Sequence, residues 1–178
     1  MNQSGFRFRI GVIIGFLLIV LLIAPVMAEL ADTPWPKISY DLKNTGQSPN
    51  YGPQTNTLKW SYNVGGSFYY ASPVVGSTGT IYIGNYGNSQ IYAINSDGTL
   101  KWTYPMGGKV SGTPTIGANE TLYVGCKDNK LYALNSDGSL KWTYTSGGEI
   151  QGSPAIGAEG TVYFGTYSTD NSVYAINP

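Results

Sequence analysis

The chain has 178 residues, ten basic and ten acidic, with no histidine and one cysteine. This is a one-domain length. Zero net charge and only 11% charged residues argue against a nucleic-acid surface. The lack of histidine excludes Ser-His-Asp and Cys-His nucleophiles and imidazole metal sites.

At the N-terminus, Arg7 and Arg9 precede an unbroken apolar run, Ile10 to Ile23. Small residues follow in Val26-Met27-Ala28, the pattern a signal peptidase cuts, which predicts cleavage after Ala28. The competing reading is an uncleaved anchor, because Ile10 to Met27 approaches the length needed to span a bilayer. Either reading places the body outside the cytoplasm: secreted, periplasmic or on the cell surface. Cys126 lies far from the cleavage site, so lipid attachment there is excluded. Residues 29–57 form a polar lead containing Pro and Gly, read as an extended segment with Trp35 as a packing anchor.

From residue 58 onward the chain repeats. Leu58-Lys59-Trp60-Ser61-Tyr62 returns at Leu100–Tyr104 and Leu140–Tyr144, an interval of about 40 residues typical of a propeller blade. Three further phrases recur with it. Ser72-Pro73 returns as Thr113-Pro114 and Ser153-Pro154. Tyr82-Ile83-Gly84 returns as Tyr123-Val124-Gly125 and Tyr163-Phe164-Gly165. Ile91-Tyr92-Ala93-Ile94-Asn95 returns at Leu131–Asn135 and Val173–Asn177. Each phrase is rich in β-branched or aromatic residues and bounded by turn formers, which predicts four strands per repeat, A to D in that order, with the Trp phrase as strand D. Asp97-Gly98 and Asp137-Gly138 mark C–D hairpin turns. Nothing after residue 30 has helical periodicity. The fold class is therefore all-β, about three four-stranded antiparallel blades at residues 58–178. A β-sandwich is the weaker alternative, because whole four-strand units repeat.

The distinctive residues have structural readings. Asp97 and Asp137 serve C–D turns, and Glu120 and Glu159 serve A–B turns. The Gly65-Gly66, Gly107-Gly108 and Gly147-Gly148 pairs mark D-to-A crossovers, and no Gly-Lys-Ser/Thr follows them to make a phosphate loop. Cys126 reads as a small residue at a strand end, with Asn85 and Thr166 as its counterparts. Asn119-Glu120-Thr121 is a glycosylation sequon on an A–B turn.

The run Tyr-Ala-(Ile/Leu)-Asn-Ser-Asp-Gly-(Thr/Ser)-Leu-Lys-Trp resembles the repeat of the pyrroloquinoline quinone (PQQ)-like β-propeller family. Ala93 to Trp102 and Ala133 to Trp142 match its tryptophan-docking motif, with a turn one residue tighter than in quinoprotein dehydrogenases. The lead segment from Trp35 to Pro49 is similar to the segment that opens those proteins. The resemblance implies eight-bladed relatives and a structural, blade-docking role for Trp60, Trp102 and Trp142. The family's dehydrogenases carry a quinone, a Ca²⁺, a catalytic aspartate and often a vicinal disulfide. None of these maps onto residues here, so no cofactor and no metal is expected.

The order of strands poses a closure problem. The repeats open on a lone strand D at Leu58–Tyr62 and finish on strands A, B and C, twelve strands in all. Three blades are fewer than the four to eight of ordinary propellers. Either the chain is a fragment of a longer propeller, or its complementary ends pair between subunits, for example in a six-bladed dimer. The expected function is a non-catalytic extracytoplasmic scaffold that binds a protein or another cell-envelope partner. Its face would carry the D–A and B–C loops, with Tyr69, Tyr70, Lys109, Ser111, Glu149 and Gln151 at positions that vary between repeats. A fragment of a PQQ-dependent dehydrogenase, or a carbohydrate-binding propeller using Tyr69, Tyr70 and Tyr86, are the alternatives.

Overall fold

The computed structural model describes Lys37 and residues 51–177. The signal or anchor segment and most of the lead, Trp35 included, lie outside the described residues. Eleven strands follow in chain order. The first sheet holds β1 (Val74–Val75), β2 (Ile81–Asn85), β3 (Gln90–Ile94) and β4 (Leu100–Pro105). The second holds β5 (Thr115–Ile116), β6 (Leu122–Gly125), β7 (Lys130–Leu134) and β8 (Leu140–Thr145). The third holds β9 (Ala155–Ile156), β10 (Val162–Gly165) and β11 (Val173–Ile176). Every pairing is antiparallel, and each sheet is a simple meander.

One predicted strand is missing: Leu58–Tyr62 is extended chain without ladder partners. Strand D elsewhere pairs with strand C of its own sheet, and no strand C lies beside this copy among the described residues. Its tryptophan is placed all the same. Trp60 Nε1 donates to the Ser96 carbonyl at 3.0 Å, and Trp102 Nε1 donates to the Ser136 carbonyl at 2.9 Å. Each indole thus sits on the C–D turn of the following sheet.

The hairpin is shaped to receive it. Asn95 and Thr99 close the turn through backbone bonds, and Gly98 takes φ of 90°. Asn135, Ser139 and Gly138, with φ of 88°, repeat this geometry. It is a type I turn with a left-handed residue, and the ladder slips by one residue beside it. Glycine is required for two reasons. The backbone is left-handed, and a Cβ at Gly98 or Gly138 would lie 2.7 Å from the ring of Trp60 or Trp102. Asp97 and Asp137 pin the turn by accepting the backbone N–H and hydroxyl of Thr99 and Ser139.

Within a sheet, the same indole packs along a cross-strand row. Tyr82 faces Ala93, and Ala93 faces Trp102. The small central residue lets the two rings approach to 5.7 Å. Tyr123, Ala133 and Trp142 repeat the row at 5.8 Å. Between sheets lie two apolar cores. Val74, Tyr82, Ile91, Val110, Ile116 and Val124 belong to the first, and Leu131, Ile150, Ile156, Val162 and Phe164 to the second. Strands β3 and β7 are buried on both faces, as sheets stacked between neighbours require.

The A–B turn of the second sheet departs from its siblings. Gly79 and Gly160 hold left-handed φ there, whereas Glu120 adopts φ of 61°. Its carboxylate reaches back toward the Ser77 N–H of the preceding sheet at 3.4 Å.

Two predictions follow from the docked turn. Gly138→Ala should destabilise by about 3 kcal/mol, combining left-handed strain with displacement of the Trp102 ring. Gly152→Ala, where nothing lies within 4 Å, should be near neutral, and urea unfolding of the two variants checks the contrast. The second concerns acid. Hydroxyl bonds from Thr99 and Ser139, then backbone N–H bonds, hold the Asp97 and Asp137 carboxyls below their ordinary value. A carboxyl depressed in the folded state stabilises above its unfolded value and loses that contribution as pH falls through the folded one. Asp97→Asn/Asp137→Asn should therefore flatten the loss of melting temperature between about pH 4 and pH 2.

Candidate functional site

The loops joining strands D to A and B to C meet at one end of the sheets, and a repeated polar clasp fixes them. The tyrosine of each strand C reaches a side chain four residues earlier and a backbone group of the crossover. Asn88 Nδ2 donates to Tyr92 Oη at 2.6 Å, and that hydroxyl donates to the Val64 carbonyl at 3.0 Å. Tyr132 Oη donates to Asp128 at 2.5 Å and accepts the Gly107 N–H at 3.2 Å. Tyr174 pairs with Asp170 and accepts the Gly147 N–H at 3.1 Å. Burial first, and the Asp128 carboxylate second, push the Tyr132 phenol well up. The glycine pairs earn their place by close approach: a Cβ on Gly107 or Gly147 would collide with Asp128 or Asp170.

Clasping brings two backbone positions together in every repeat. The residue after the glycine pair gives its carbonyl to an N–H at the start of the B–C loop. These pairs are Ser67 with Tyr86 at 3.1 Å, Lys109 with Lys127 at 3.0 Å, and Glu149 with Tyr167 at 2.8 Å. Side chains at and beside these positions form a ledge of successive contacts running from Tyr70 to Gln151. Tyr69 and Tyr70 are exposed and edge-on to each other at 4.2 Å, and Tyr69 lies 5.2 Å from Tyr86. The Tyr70 hydroxyl holds the Tyr69 phenol above its ordinary value. The Lys109 ammonium sits 4.5 Å from the centre of the Tyr86 ring, and that of Lys127 at 5.9 Å. Lys127 then pairs with Glu149 at 3.2 Å, and Gln151 Nε2 donates to the same carboxylate at 2.8 Å.

Five of the six residues singled out in the sequence thus fall on this ledge: Tyr69, Tyr70, Lys109, Glu149 and Gln151. Ser111 is placed otherwise. It is buried, and its hydroxyl donates to the Gln151 carbonyl at 3.1 Å, joining two crossovers. Lys127 and Tyr167 were missed. The signal was available, since Tyr86, Lys127 and Tyr167 are equivalent positions in the B–C loop, and lysine replaces the tyrosine there in the second repeat.

Cys126 lies beneath the ledge, fully buried. Burial, then the Asp128 carboxylate, pushes its thiol up to about 12. Among the described residues no three His, Cys, Asp or Glu side chains gather as metal ligands. No helix among the described residues is long and apolar enough to cross a membrane.

Antiparallel three- and four-strand meanders, with Trp60 and Trp102 of the Leu-Lys-Trp phrases docked on the C–D turns that follow them, define a PQQ-like β-propeller repeat protein. The model of the family described as "Outer membrane protein assembly factor BamB" matches residues 50–178, and the chain belongs to that family. No curated protein matches it. Among solved structures, BamB from Moraxella catarrhalis is 19% identical with a TM-score of 0.57, over 67% of this chain and 36% of that one. Quinohemoprotein alcohol dehydrogenase from Comamonas testosteroni is 23% identical with a TM-score of 0.59, over 79% and 27%. The quinohemoprotein alcohol dehydrogenase ADHIIG from Pseudomonas putida HK5 is 21% identical with a TM-score of 0.60, over 82% and 27%. At such identities the likeness shows the fold. The chain spans about a third of the BamB structure and about a quarter of each dehydrogenase.

A buried, protonated thiol is a poor nucleophile. Cys126 should resist iodoacetamide in the native protein at pH 8 and react within minutes in denaturant, as intact-mass spectrometry would show.

Proposed function

We propose that this chain is a non-catalytic, extracytoplasmic propeller-repeat scaffold that binds a protein of the cell envelope through the Tyr-Lys ledge. The ledge is the observation that carries the reading. Exposed tyrosines bring large contact area at low entropic cost, and they concentrate binding energy at protein interfaces. The rest of the repeat is occupied with holding itself together: tyrosines with clasps, tryptophans with turns, carboxylates with hairpins. Export is supported by the Arg7/Arg9, apolar-run and Val26-Met27-Ala28 pattern. An envelope partner is supported by the family's description as an outer membrane protein assembly factor.

A second reading is favoured by one feature of the same ledge. Tyr69, Tyr70 and Tyr86 form a single cluster of edge-on and tilted rings instead of scattered ones. Such a group with a cation beside it also suits the face of a sugar ring. Oligosaccharide and protein partners are separable by experiment.

In envelope extracts, the exported chain should retain a protein partner that Tyr69→Ala/Tyr70→Ala loses by at least about tenfold, as expected when two aromatic anchors are removed. Equal retention by both forms would overturn the scaffold reading. Saturable oligosaccharide binding that the same variant abolishes would replace it with the second.

A further inference from the structure

The turns between strands A and B lie at the end of the sheets opposite the ledge. In an antiparallel meander the A–B and C–D turns share one end, and the B–C and D–A loops share the other. All three A–B turns are closed by the same pair of backbone bonds. The N–H groups of Gly76, Gly117 and Gly157 donate to the carbonyls of Thr80, Thr121 and Thr161, and their carbonyls accept from Gly79, Glu120 and Gly160. The residue at the apex differs in each: Thr78, Asn119 and Glu159. Thr78 shares its hydroxyl with Thr80 at 3.0 Å, and the Glu159 carboxylate accepts the Tyr163 phenol at 2.8 Å. Asn119 uses only its oxygen, which accepts the Thr121 N–H at 3.2 Å. Its amide nitrogen bonds to none of the described residues, and the residue is exposed.

Asn119 also opens the triplet Asn119-Glu120-Thr121, the acceptor pattern for N-linked oligosaccharide. The neighbouring turns keep the threonine, at Thr80 and Thr161, but neither has the asparagine. The sequence holds one other such triplet, Asn2-Gln3-Ser4. That one precedes Arg7, Arg9 and the apolar run, on the side where basic residues stay behind during export.

The two ends of the triplet fare differently in the folded chain. Thr121 is 2% exposed, and its hydroxyl accepts the Lys141 ammonium at 3.2 Å. Lys141 lies on β8, 20 residues further on. A transferase that reads the threonine hydroxyl must therefore act before β8 has docked and Lys141 has taken it. Asn119 stays at the surface afterwards, so the folded sheet accommodates a product made on the open chain.

We propose that Asn119 is a site of N-linked glycosylation, modified as the chain emerges on the far side of the membrane. The inference rests on the export reading above. The donor is an oligosaccharide carried on a lipid pyrophosphate. Asn119 Nδ2 attacks C1 of the first sugar and the N–C1 bond forms. The C1–O bond to the pyrophosphate breaks, and the carrier leaves with that electron pair. The amide proton passes to a base of the transferase, and no oxidant or reductant takes part. Glu120 braces the turn: its carboxylate accepts the Ser77 N–H of the preceding sheet at 3.4 Å. The sugar occupies the end of the sheets away from Tyr69, Tyr70 and Lys109. It makes that end bulky and hydrophilic, and it leaves the ledge as the open end for a partner.

The full chain should be isolated from its native cells after fractionation and its peptides mapped by mass spectrometry. The peptide that holds Asn119 should carry extra mass that fragments as a series of sugar units. Asn119→Gln and Thr121→Val should each lose that mass completely, and Thr121→Ser should keep it. Transfer precedes folding, so the Thr121→Val result reads the acceptor pattern even where the variant folds poorly. Asn119→Gln alters an exposed turn, and its circular dichroism and partner retention should match the parent. An exported chain with a bare Asn119 would overturn the site and leave the scaffold reading standing, whereas a chain confined to the cytoplasm would overturn both. Sugar retained on Thr121→Val, or partner binding lost in Asn119→Gln, would also count against the proposal.

Discussion

The contact on which the rest depends is an indole ring lying on a left-handed glycine. Trp102 spans two sheets: its body packs in the row with Ala93 and Tyr82, and its N–H bonds the turn of the next sheet at Ser136. A single side chain thereby fixes the register of its own ladder and the spacing to its neighbour. The glycine gives way in two senses, in backbone angle and in the absent Cβ. The alanine at the centre of the row does the same in smaller measure. Large residues are admitted only where a small one has been placed to receive them, which is how close packing is reached in a repeat of limited vocabulary.

A second, polar constraint acts at the loop end. The strand C tyrosine, its partner four residues earlier and the crossover backbone make a clasp whose chemistry changes from Asn88 to Asp128 and Asp170 while its geometry holds. With the loops fixed by these groups, the side chains just beyond them are free to vary. That freedom is where Lys127 stands in place of the tyrosines Tyr86 and Tyr167, and where Lys109 and Glu149 find partners across sheet boundaries. Rigidity beneath and variation above make a surface that keeps its shape while its chemistry changes.

The architecture was legible because the repeat states each rule three times. Asp97-Gly98 announces a hairpin, and the recurrence of Tyr-Ala-x-Asn aligns the strands before any coordinates are seen. The fate of Leu58–Tyr62 was not legible. Its residues are those of a strand, but a strand is a relation between two segments, and the second segment is not adjacent here. Ser111 was misjudged for a related reason. Variation at equivalent positions marked it as free, whereas its hydroxyl is spent on the next crossover's carbonyl. Lys127 was not legible because its role depends on Tyr86 and Glu149, which belong to other repeats. Side-chain contacts between repeats depend on loop lengths, and those change by a residue or two in each copy.

The A–B turns of the three sheets are alike except at Glu120, which accepts the backbone geometry that Gly79 and Gly160 adopt freely. The direction of the tryptophan contacts has a wider consequence. In both docked contacts, Trp60 on the Ser96 turn and Trp102 on the Ser136 turn, the indole precedes its receiving turn, so the contacts run one way along the chain. A polypeptide delivered N-terminus first, from a ribosome or through a translocation pore, offers each ring before its seat has emerged. Each new hairpin then closes on a ring already waiting. The stack can then grow through nearest-neighbour contacts, one hairpin at a time.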